Sequence, residues 1–197
     1  HNSPSVKIVD GEIVARNLTP NPSFEDNIDL LSYNTTRLSL AYVTYAPRVV
    51  SGKRALTMTA NSQANLYTYV LQNVDITEAD LGKYLVFHIK NFQAIGNKDG
   101  GLETRIGWYE GDWQYTPFDD FVNAPTSRGG ASATRVFQIP QNLDSYTLRV
   151  MVYLRSAKDV PARDGDQFTT DGWMTVVADS EQEALQQVET YFDGDTV

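Results

Sequence analysis

The sequence has no cysteine and very little histidine. Its 197 residues include only two histidines, His1 and His88. The absence of cysteine excludes disulfides, thiolate zinc sites and cysteine nucleophiles. A single internal histidine leaves one possible Ser-His-Asp arrangement and excludes a histidine-rich metal site. Any catalysis would therefore rest mainly on a pair of carboxylates.

The sequence also lacks long apolar runs and blocks of basic residues. No segment approaches the roughly 18 apolar residues that cross a bilayer, so membrane insertion is not expected. The 25 acidic residues exceed the 16 basic ones and give a net charge of −9. This charge repels a phosphate backbone, which excludes nucleic acid as a main partner. The chain begins at His1 rather than Met and shows no signal peptide, so we expect a piece of a longer protein.

What the sequence does contain is a series of short strand-like segments. Runs rich in β-branched and aromatic residues are separated by Gly, Asn, Asp and Pro. About nine or ten strands with almost no helix indicate an all-β sandwich or barrel. The predicted strands are Lys7–Val9, Glu12–Arg16, Leu38–Tyr45, Ala55–Thr59, Leu66–Val74, Tyr84–Asn91, Glu103–Glu110, Thr134–Ile139, Tyr146–Arg155 and Gly172–Val177.

Alternation within two of these strands predicts which side chains face the core. The predicted core set is Leu148, Val150, Val152 and Leu154, with Leu85, Phe87 and Ile89. The predicted outward sets are Thr147, Arg149, Met151, Tyr153 and Arg155, and Tyr84, Val86, His88 and Lys90. Outward rows that mix Arg, Tyr and His are either solvated faces or a binding surface.

One helix is predicted near the C-terminus. Ser180 and Glu183 have the spacing of a capping box, and apolar residues follow at helical spacing. These apolar residues are Ala184, Leu185, Val188 and either Phe192 or Tyr191. We therefore divide the chain into a sandwich, residues 1–178, and a C-terminal helix and tail, residues 179–197.

Four segments, in order, resemble parts of jelly-roll carbohydrate-binding modules of the type attached to xylanases and glucanases. They are Asn17–Glu25 (NLTPNPSFE), Ser51–Leu56 (SGKRAL), Asp75–Lys90 and Asp171–Met174 (DGWM). The C-terminal Tyr191–Thr196 (YFDGDT) resembles minor tail proteins of phages that infect actinobacteria. The resemblance implies an antiparallel jelly-roll sandwich in a phage tail. Its partners would be a host cell-wall or cell-surface glycan and other tail subunits, and the module could be homo-oligomeric in the virion.

The resemblance also implies a structural calcium ion. Glu25 and Asp171 match carboxylate positions of the family, and the Asn21 and Lys53 carbonyls could complete the cage. Calcium takes six to eight oxygen ligands, which suits this mixture of carboxylates and carbonyls. The alternative is that Glu25 and Asp171 are ordinary loop acids.

A saccharide site would need aromatic faces and fork-like polar groups. Candidates on the predicted concave face or its rim are Tyr109, Trp113, Tyr115, Arg149 and Tyr153, with Arg105 and His88 in a secondary role. Packing within loops would explain Tyr109, Trp113 and Tyr115 equally well, and His88 could be a bystander. Trp108 and Trp173 are predicted core residues because their register places them with core side chains.

The sequence leaves three functions open. The first is a non-catalytic glycan-binding module, and the second is a tail spacer or oligomerisation domain without a ligand. The third is a glycan hydrolase that uses carboxylates among Asp119, Asp120, Asp164 and Asp166. Adjacent residues of an extended chain point in opposite directions, so Asp119 and Asp120 could not act together on one bond. We therefore expect no enzyme.

Overall fold

The structure is a computed structural model that describes residues 5–25, 31–45, 48–50, 52–96, 98–126 and 130–189. In chain order, the strands and the helix are β1 (Ser5–Val9), β2 (Glu12–Asn17), β3 (Ser32–Tyr33), β4 (Leu38–Val43), β5 (Ala55–Ala60), β6 (Tyr69–Asp75), β7 (Tyr84–Ile95), β8 (Gly101–Tyr109), β9 (Trp113–Tyr115), β10 (Phe121–Asn123), β11 (Ala131–Gln138), β12 (Thr147–Ala157), β13 (Val160–Pro161), β14 (Gln167–Ala178) and α1 (Glu181–Gln187). A 3-10 helix, Glu78–Asp80, precedes β7.

Two antiparallel sheets form the sandwich, as the sequence predicts. The five-stranded sheet has the order β11-β7-β14-β5-β4. The seven-stranded sheet has the order β10-β8-β12-β6-β3, with β9 paired to β8 and β13 paired to β12. The β1–β2 hairpin forms a small sheet of its own.

The main core lies between the two sheets. Every core side chain predicted from the alternation of β7 and β12 is fully buried, which confirms that prediction. Trp173 is also fully buried, and its ring lies edge-on to Phe24 and Phe87 at centroid distances of 5.4 and 5.3 Å. Trp108 is half-buried and packs against Phe137 at 4.9 Å. The prediction that both tryptophans belong to the core is therefore confirmed.

The helix α1 packs on the outer face of the five-stranded sheet. The Ser180 side chain accepts a hydrogen bond from the Glu183 backbone N–H at 3.1 Å, as the capping motif predicts. Ala184 and Val188 form a second apolar cluster with Val86, Ala15 and β14 residues. Val86 does point outward, as predicted, but the predicted exposure to solvent is wrong. The side chain is fully buried because α1 and β2 cover it. Tyr191 and Phe192 lie outside the described residues.

Four short strands were not predicted. They are β3, β9, β10 and β13, each of two or three residues. Such segments are too short to show an alternation, and their pairing depends on the longer strand beside them. The missed β9 is the strand that carries Trp113 and Tyr115.

Candidate functional site

The outer face of the seven-stranded sheet carries most of the predicted ligand-contacting residues. The register of β8, β9 and β12 puts Arg105, Tyr109, Trp113, Tyr115 and Arg149 on the side opposite the core. Phe118, from the loop after β9, joins them through its contact with Arg105. We call the surface formed by Arg105, Tyr109, Trp113, Tyr115, Phe118 and Arg149 the arginine–aromatic face.

Gly107 makes the centre of this face possible. It pairs with Arg149 on one side and with Tyr115 on the other. A Cβ atom at this position would lie 3.0 Å from Cε1 of Tyr115 and 3.3 Å from Cβ of Arg149. The missing side chain therefore leaves room for the Tyr115 ring to lie over the strand beside Arg149.

Arg149 links two of the aromatic side chains. Its Cζ atom lies 3.6 Å from the centroid of the Trp113 ring, which is a cation–π contact. Its Nη1 group donates a hydrogen bond to the Tyr115 hydroxyl at 3.0 Å. The Tyr109 ring meets the Trp113 ring edge-on, with 5.6 Å between their centroids. Since Tyr109, Trp113 and Tyr115 are only half-buried, part of each ring faces solvent.

Arg105 lies on β8 two residues before Gly107, on the same side of the sheet. Its Cζ atom lies 4.6 Å from the Tyr115 centroid and 4.1 Å from the Phe118 centroid. Its Nε group donates to the Thr116 carbonyl at 2.8 Å. The guanidinium is therefore held in place between two rings while the side chain remains partly exposed.

The loop at residues 116–120 covers one end of the outer face. Its Thr116 exchanges hydrogen bonds with the Ile106 backbone, with both distances at 3.0 Å. Arg135, on the other sheet, donates to the Pro117 carbonyl at 3.2 Å and to the Asp119 carboxylate at 2.5 Å. These bonds fix the loop so that Phe118 lies over the sheet.

The expected exposure of Tyr153 and Arg155 is wrong. Both lie on the predicted face, but they are only 3% and 1% exposed because Phe118 and its loop cover them. The Phe118 ring meets the Tyr153 ring edge-on at 4.9 Å. Burial raises the pKa of Tyr153 to about 12. Neither side chain offers the open surface that the alternation suggested.

A buried ion pair lies beneath the same loop. Arg155 Nη2 is 3.5 Å from Oε2 of Glu103, and the two side chains are 1% and 0% exposed. Arg155 also donates to the Leu66 carbonyl at 2.6 Å. Burial raises the pKa of Glu103, and the nearby Arg155 opposes that shift. Among the residues that the structure describes, neither carboxylate oxygen of Glu103 has a hydrogen-bond partner.

His88 is not brought to this face. It lies on β7, on the outer side of the five-stranded sheet, where its Nδ1 atom is 2.8 Å from Oγ1 of Thr134. Burial, and secondarily the charge of Lys90, lower the pKa of His88. The prediction of one platform that includes His88 is therefore wrong, because alternation identifies an outward side but not which sheet it belongs to.

Three of the four carboxylates considered for hydrolysis, Asp119, Asp120 and Asp166, make structural contacts. Asp119 pairs with Arg135, as described above. Asp166 is 1% exposed and accepts hydrogen bonds from the backbone N–H and Nε of Arg163 at 2.7 and 2.9 Å. Asp120 is 3.5 Å from the Thr104 hydroxyl. None of these contacts brings two of the four carboxylates together.

Two of the predicted calcium ligands, Glu25 and Asp171, accept hydrogen bonds from backbone N–H groups that lie between β4 and β5. Glu25 accepts from the Lys53 and Arg54 backbone N–H groups at 2.7 and 2.9 Å. Asp171 accepts from the Val50 backbone N–H at 2.7 Å. Asn21 is instead tied to the side chain of Gln72, through its backbone N–H at 2.8 Å and its carbonyl at 3.0 Å.

The oxygen donors at this place are of the type that Ca²⁺ takes. Among the described residues no three His, Cys, Asp or Glu side chains form a metal-binding group, so backbone carbonyls would have to complete a cage. Calcium binding at Glu25, Asp171, Asn21 and Lys53 stays a prediction.

No helix in the described part of the chain is long and apolar enough to span a membrane.

Sequence reasoning missed Phe118 and Glu103. Phe118 lies in a loop, where no alternation indicates its direction, and its role follows from contacts across the sheet. Glu103 begins a predicted strand and reads as a solvated end residue. The sequence gives one indication of its burial. Arg155 is also an outward residue, and it lies on a strand that could pair with the strand of Glu103, so that the two side chains could meet.

Comparison with known proteins gives a consistent fold. No protein-family model matches the sequence, and no curated protein matches it. The structure is similar to the CBM22-1 xylan-binding domain of Paenibacillus barcinonensis Xyn10C, with a TM-score of 0.58 and 11% identity over 80% of this chain and 92% of that one. It is also similar to TmCBM61 in complex with β-1,4-galactotriose, with a TM-score of 0.53 and 14% identity over 83% of this chain and 99% of that one.

A third similar structure comes from a phage. The enzymatically active domain of tailspike protein 4 of bacteriophage CBA120 has a TM-score of 0.54 and 13% identity, and the match covers 82% of this chain and 21% of that one. At these identities the comparisons establish the fold. The predicted antiparallel jelly-roll sandwich is therefore confirmed, and it is the fold of carbohydrate-binding modules.

Proposed function

We propose that this chain is a non-catalytic glycan-binding module whose saccharide lies on the arginine–aromatic face. The observation that carries the proposal is the half-exposed group of Tyr109, Trp113 and Tyr115 held around the Arg149 guanidinium. Aromatic rings stack on the apolar side of a pyranose, and a guanidinium fork donates to its oxygens. The jelly-roll fold, shared with modules that bind xylan and galactotriose, supports this proposal.

The proposed setting is the tail of a phage that infects actinobacteria. There the module would attach the virion to a host cell-wall or cell-surface glycan and would contact other tail subunits. The Tyr191–Thr196 resemblance and the fold shared with a phage tailspike support this setting.

The proposal includes a structural calcium ion at Glu25 and Asp171. A shallow face predicts weak binding by one module, on the order of 0.1–1 mM, so that several copies would act together.

A tail spacer without a ligand is the second candidate function. The observation in its favour is that the protein's own Phe118 covers Tyr153 and Arg155, which closes one end of the outer face. A spacer would keep the sandwich and would have no use for the exposed parts of Tyr109 and Trp113.

Retention on purified host cell walls tests the proposed function. A multimerised wild-type protein should be retained, and the double variant Trp113→Ala/Arg149→Ala should not. His88→Ala is the matched control, because it changes a partly buried ring on the other sheet and should be retained like the wild type. Equal retention of the double variant would place binding on another face. Loss of retention by wild type and variants alike would favour the spacer.

A further inference from the structure

We propose that the saccharide bound by this module is anionic, and that its negative group docks at Arg105 and Arg149. This inference rests on the proposed function and deepens it. It concerns a carboxylate or a phosphate group carried by the glycan, since both present oxygen pairs that guanidinium groups recognise.

The first observation is that two guanidinium groups meet at one tyrosine. Arg105 has its Cζ atom 4.6 Å from the Tyr115 ring centroid, and Arg149 donates to the Tyr115 hydroxyl at 3.0 Å. Two positive charges held at the same side chain repel each other. The cation–π contacts offset part of this cost, and a bound anion would offset more.

The second observation is that no carboxylate of the described residues pairs with either guanidinium. Three other arginines near this sheet have acidic partners: Arg155 has Glu103, Arg135 has Asp119 and Arg163 has Asp166, whereas Arg37 donates, among the described residues, only to the Tyr67 carbonyl, at 3.3 Å. The two arginines of the face lack such a partner although the chain has 25 acidic residues against 16 basic ones.

In the strand pairing, no acidic residue of the described part of the chain stands directly opposite Arg105 or Arg149. Arg149 lies between Gly107 and Asn73 on the neighbouring strands, and Arg105 lies beside Met151. All of these neighbours are neutral. A carboxylate at position 73 or 151 would stand directly opposite one of the two guanidinium groups, where cross-strand ion pairs form.

The donors of the pair are only partly used within the protein. A guanidinium carries five N–H donors. Arg149 donates from Nη1 to Tyr115, and its buried Nε has no hydrogen-bond partner among the described residues. Arg105 donates from Nε to the Thr116 carbonyl and has a long contact of 3.5 Å from Nη1 to the Tyr153 hydroxyl. Both side chains remain partly exposed, so that their other N–H groups can reach a ligand.

The surroundings of the pair strengthen an interaction with an anion. Tyr115, Trp113 and Phe118 cover the guanidinium planes with aromatic surface, which reduces screening by water and salt compared with an open lysine or arginine. The rings fix the planes of both groups, so that less conformational entropy is lost when a carboxylate or phosphate binds.

The test compares three polysaccharides by affinity gel electrophoresis of the wild-type protein. The probes are neutral β-1,4-xylan, polygalacturonic acid, which carries carboxylates, and phosphomannan, which carries phosphates. We expect retardation by one or both anionic polymers, and retardation that weakens steeply between 0.05 and 0.5 M salt. The comparison of polygalacturonic acid with phosphomannan distinguishes the carboxylate from the phosphate source.

Charge variants complete the test. Arg149→Gln and Arg105→Gln should each weaken anionic binding about tenfold, as expected for loss of a charge-assisted hydrogen bond. Arg149→Lys should recover only part of it, because lysine keeps the charge without the fork. Lys90→Gln, on the outer side of the other sheet, removes one positive charge as well and should bind like the wild type. Melting curves of all variants confirm that they are folded.

The outcomes separate this inference from the proposed function. Binding to xylan that depends on Trp113 but not on Arg105, Arg149 or salt would overturn the inference and leave the glycan-binding proposal intact. Anionic binding that Lys90→Gln weakens as much as Arg149→Gln would also overturn it, because the effect would then come from net charge. Binding to no polymer and to no host cell wall would contradict both.

Discussion

Replacement of Arg155 by methionine should strongly destabilise the protein. The change removes the positive partner of Glu103, which is 0% exposed, and leaves a buried carboxylate without compensation. Breaking a buried ion pair in this way costs about 3–5 kcal/mol. Urea unfolding of Arg155→Met at neutral pH, followed by tryptophan fluorescence, measures the loss in the free energy of unfolding.

The loss should depend on pH in a defined direction. Burial raises the pKa of Glu103, and Arg155 is the main group that lowers it, so the variant raises this pKa further. Between the raised folded pKa and the ordinary carboxyl pKa, the folded state binds more protons than the unfolded state. Stability therefore falls as pH rises through the folded pKa. The deficit of Arg155→Met should accordingly shrink as the pH is lowered from neutral towards 4.5, the ordinary value for this carboxyl.

A double variant supplies the matched control. Glu103→Leu/Arg155→Met removes both charges and should recover most of the lost stability, because replacement of a whole buried pair by apolar side chains is often neutral. The free energy of unfolding of Arg155→Met could instead fall by less than about 1 kcal/mol, or by an amount that does not change with pH. Either result would refute the conclusion that Arg155 compensates the buried charge of Glu103.

Two further predictions concern the segment around Glu25. Gly52→Ala should lower the free energy of unfolding by about 0.5–1.5 kcal/mol more than Gly96→Ala, because the Glu25 carboxylate would have to move away from the Lys53 and Arg54 N–H groups. Both glycines have positive φ, +66° and +81°, but only a Cβ at Gly52 would approach Cδ of Glu25, at 2.6 Å. Equal losses in the two variants would contradict this. If Glu25 and Asp171 hold calcium, EDTA should lower the melting temperature and excess calcium should restore it, since a ligand of the folded state stabilises by mass action. An unchanged melting curve would remove the proposed calcium site.

The long strands and their buried sides could be predicted from the sequence because alternation is a local property. In β12 the core residues from Leu148 to Leu154 and the outward direction of Arg149 both follow from it. The same pattern cannot show what covers an outward side chain. Phe118 buries Tyr153, and α1 buries Val86, through contacts between residues far apart in the chain.

The composition of the candidate site was less predictable for a related reason. Trp113 and Tyr115 were expected near the face, but their pairing with β8 depends on a three-residue strand and on the space over Gly107. His88 has the same outward parity as Arg149, and only the strand order assigns the two residues to different sheets. The side of a strand on which a residue lies follows from the local sequence. The order of the strands in a sheet results from the packing of the whole chain.

The most direct test of glycan binding on the arginine–aromatic face is an NMR titration that follows the indole N–H signals. The protein has three tryptophans: Trp113 on this face, half-buried Trp108 against the core, and fully buried Trp173. Soluble fragments of the host cell wall should shift the Trp113 signal in a saturable manner and leave the Trp173 signal unchanged. Saturable shifts elsewhere in the protein, with the Trp113 signal unmoved, would contradict binding on this face.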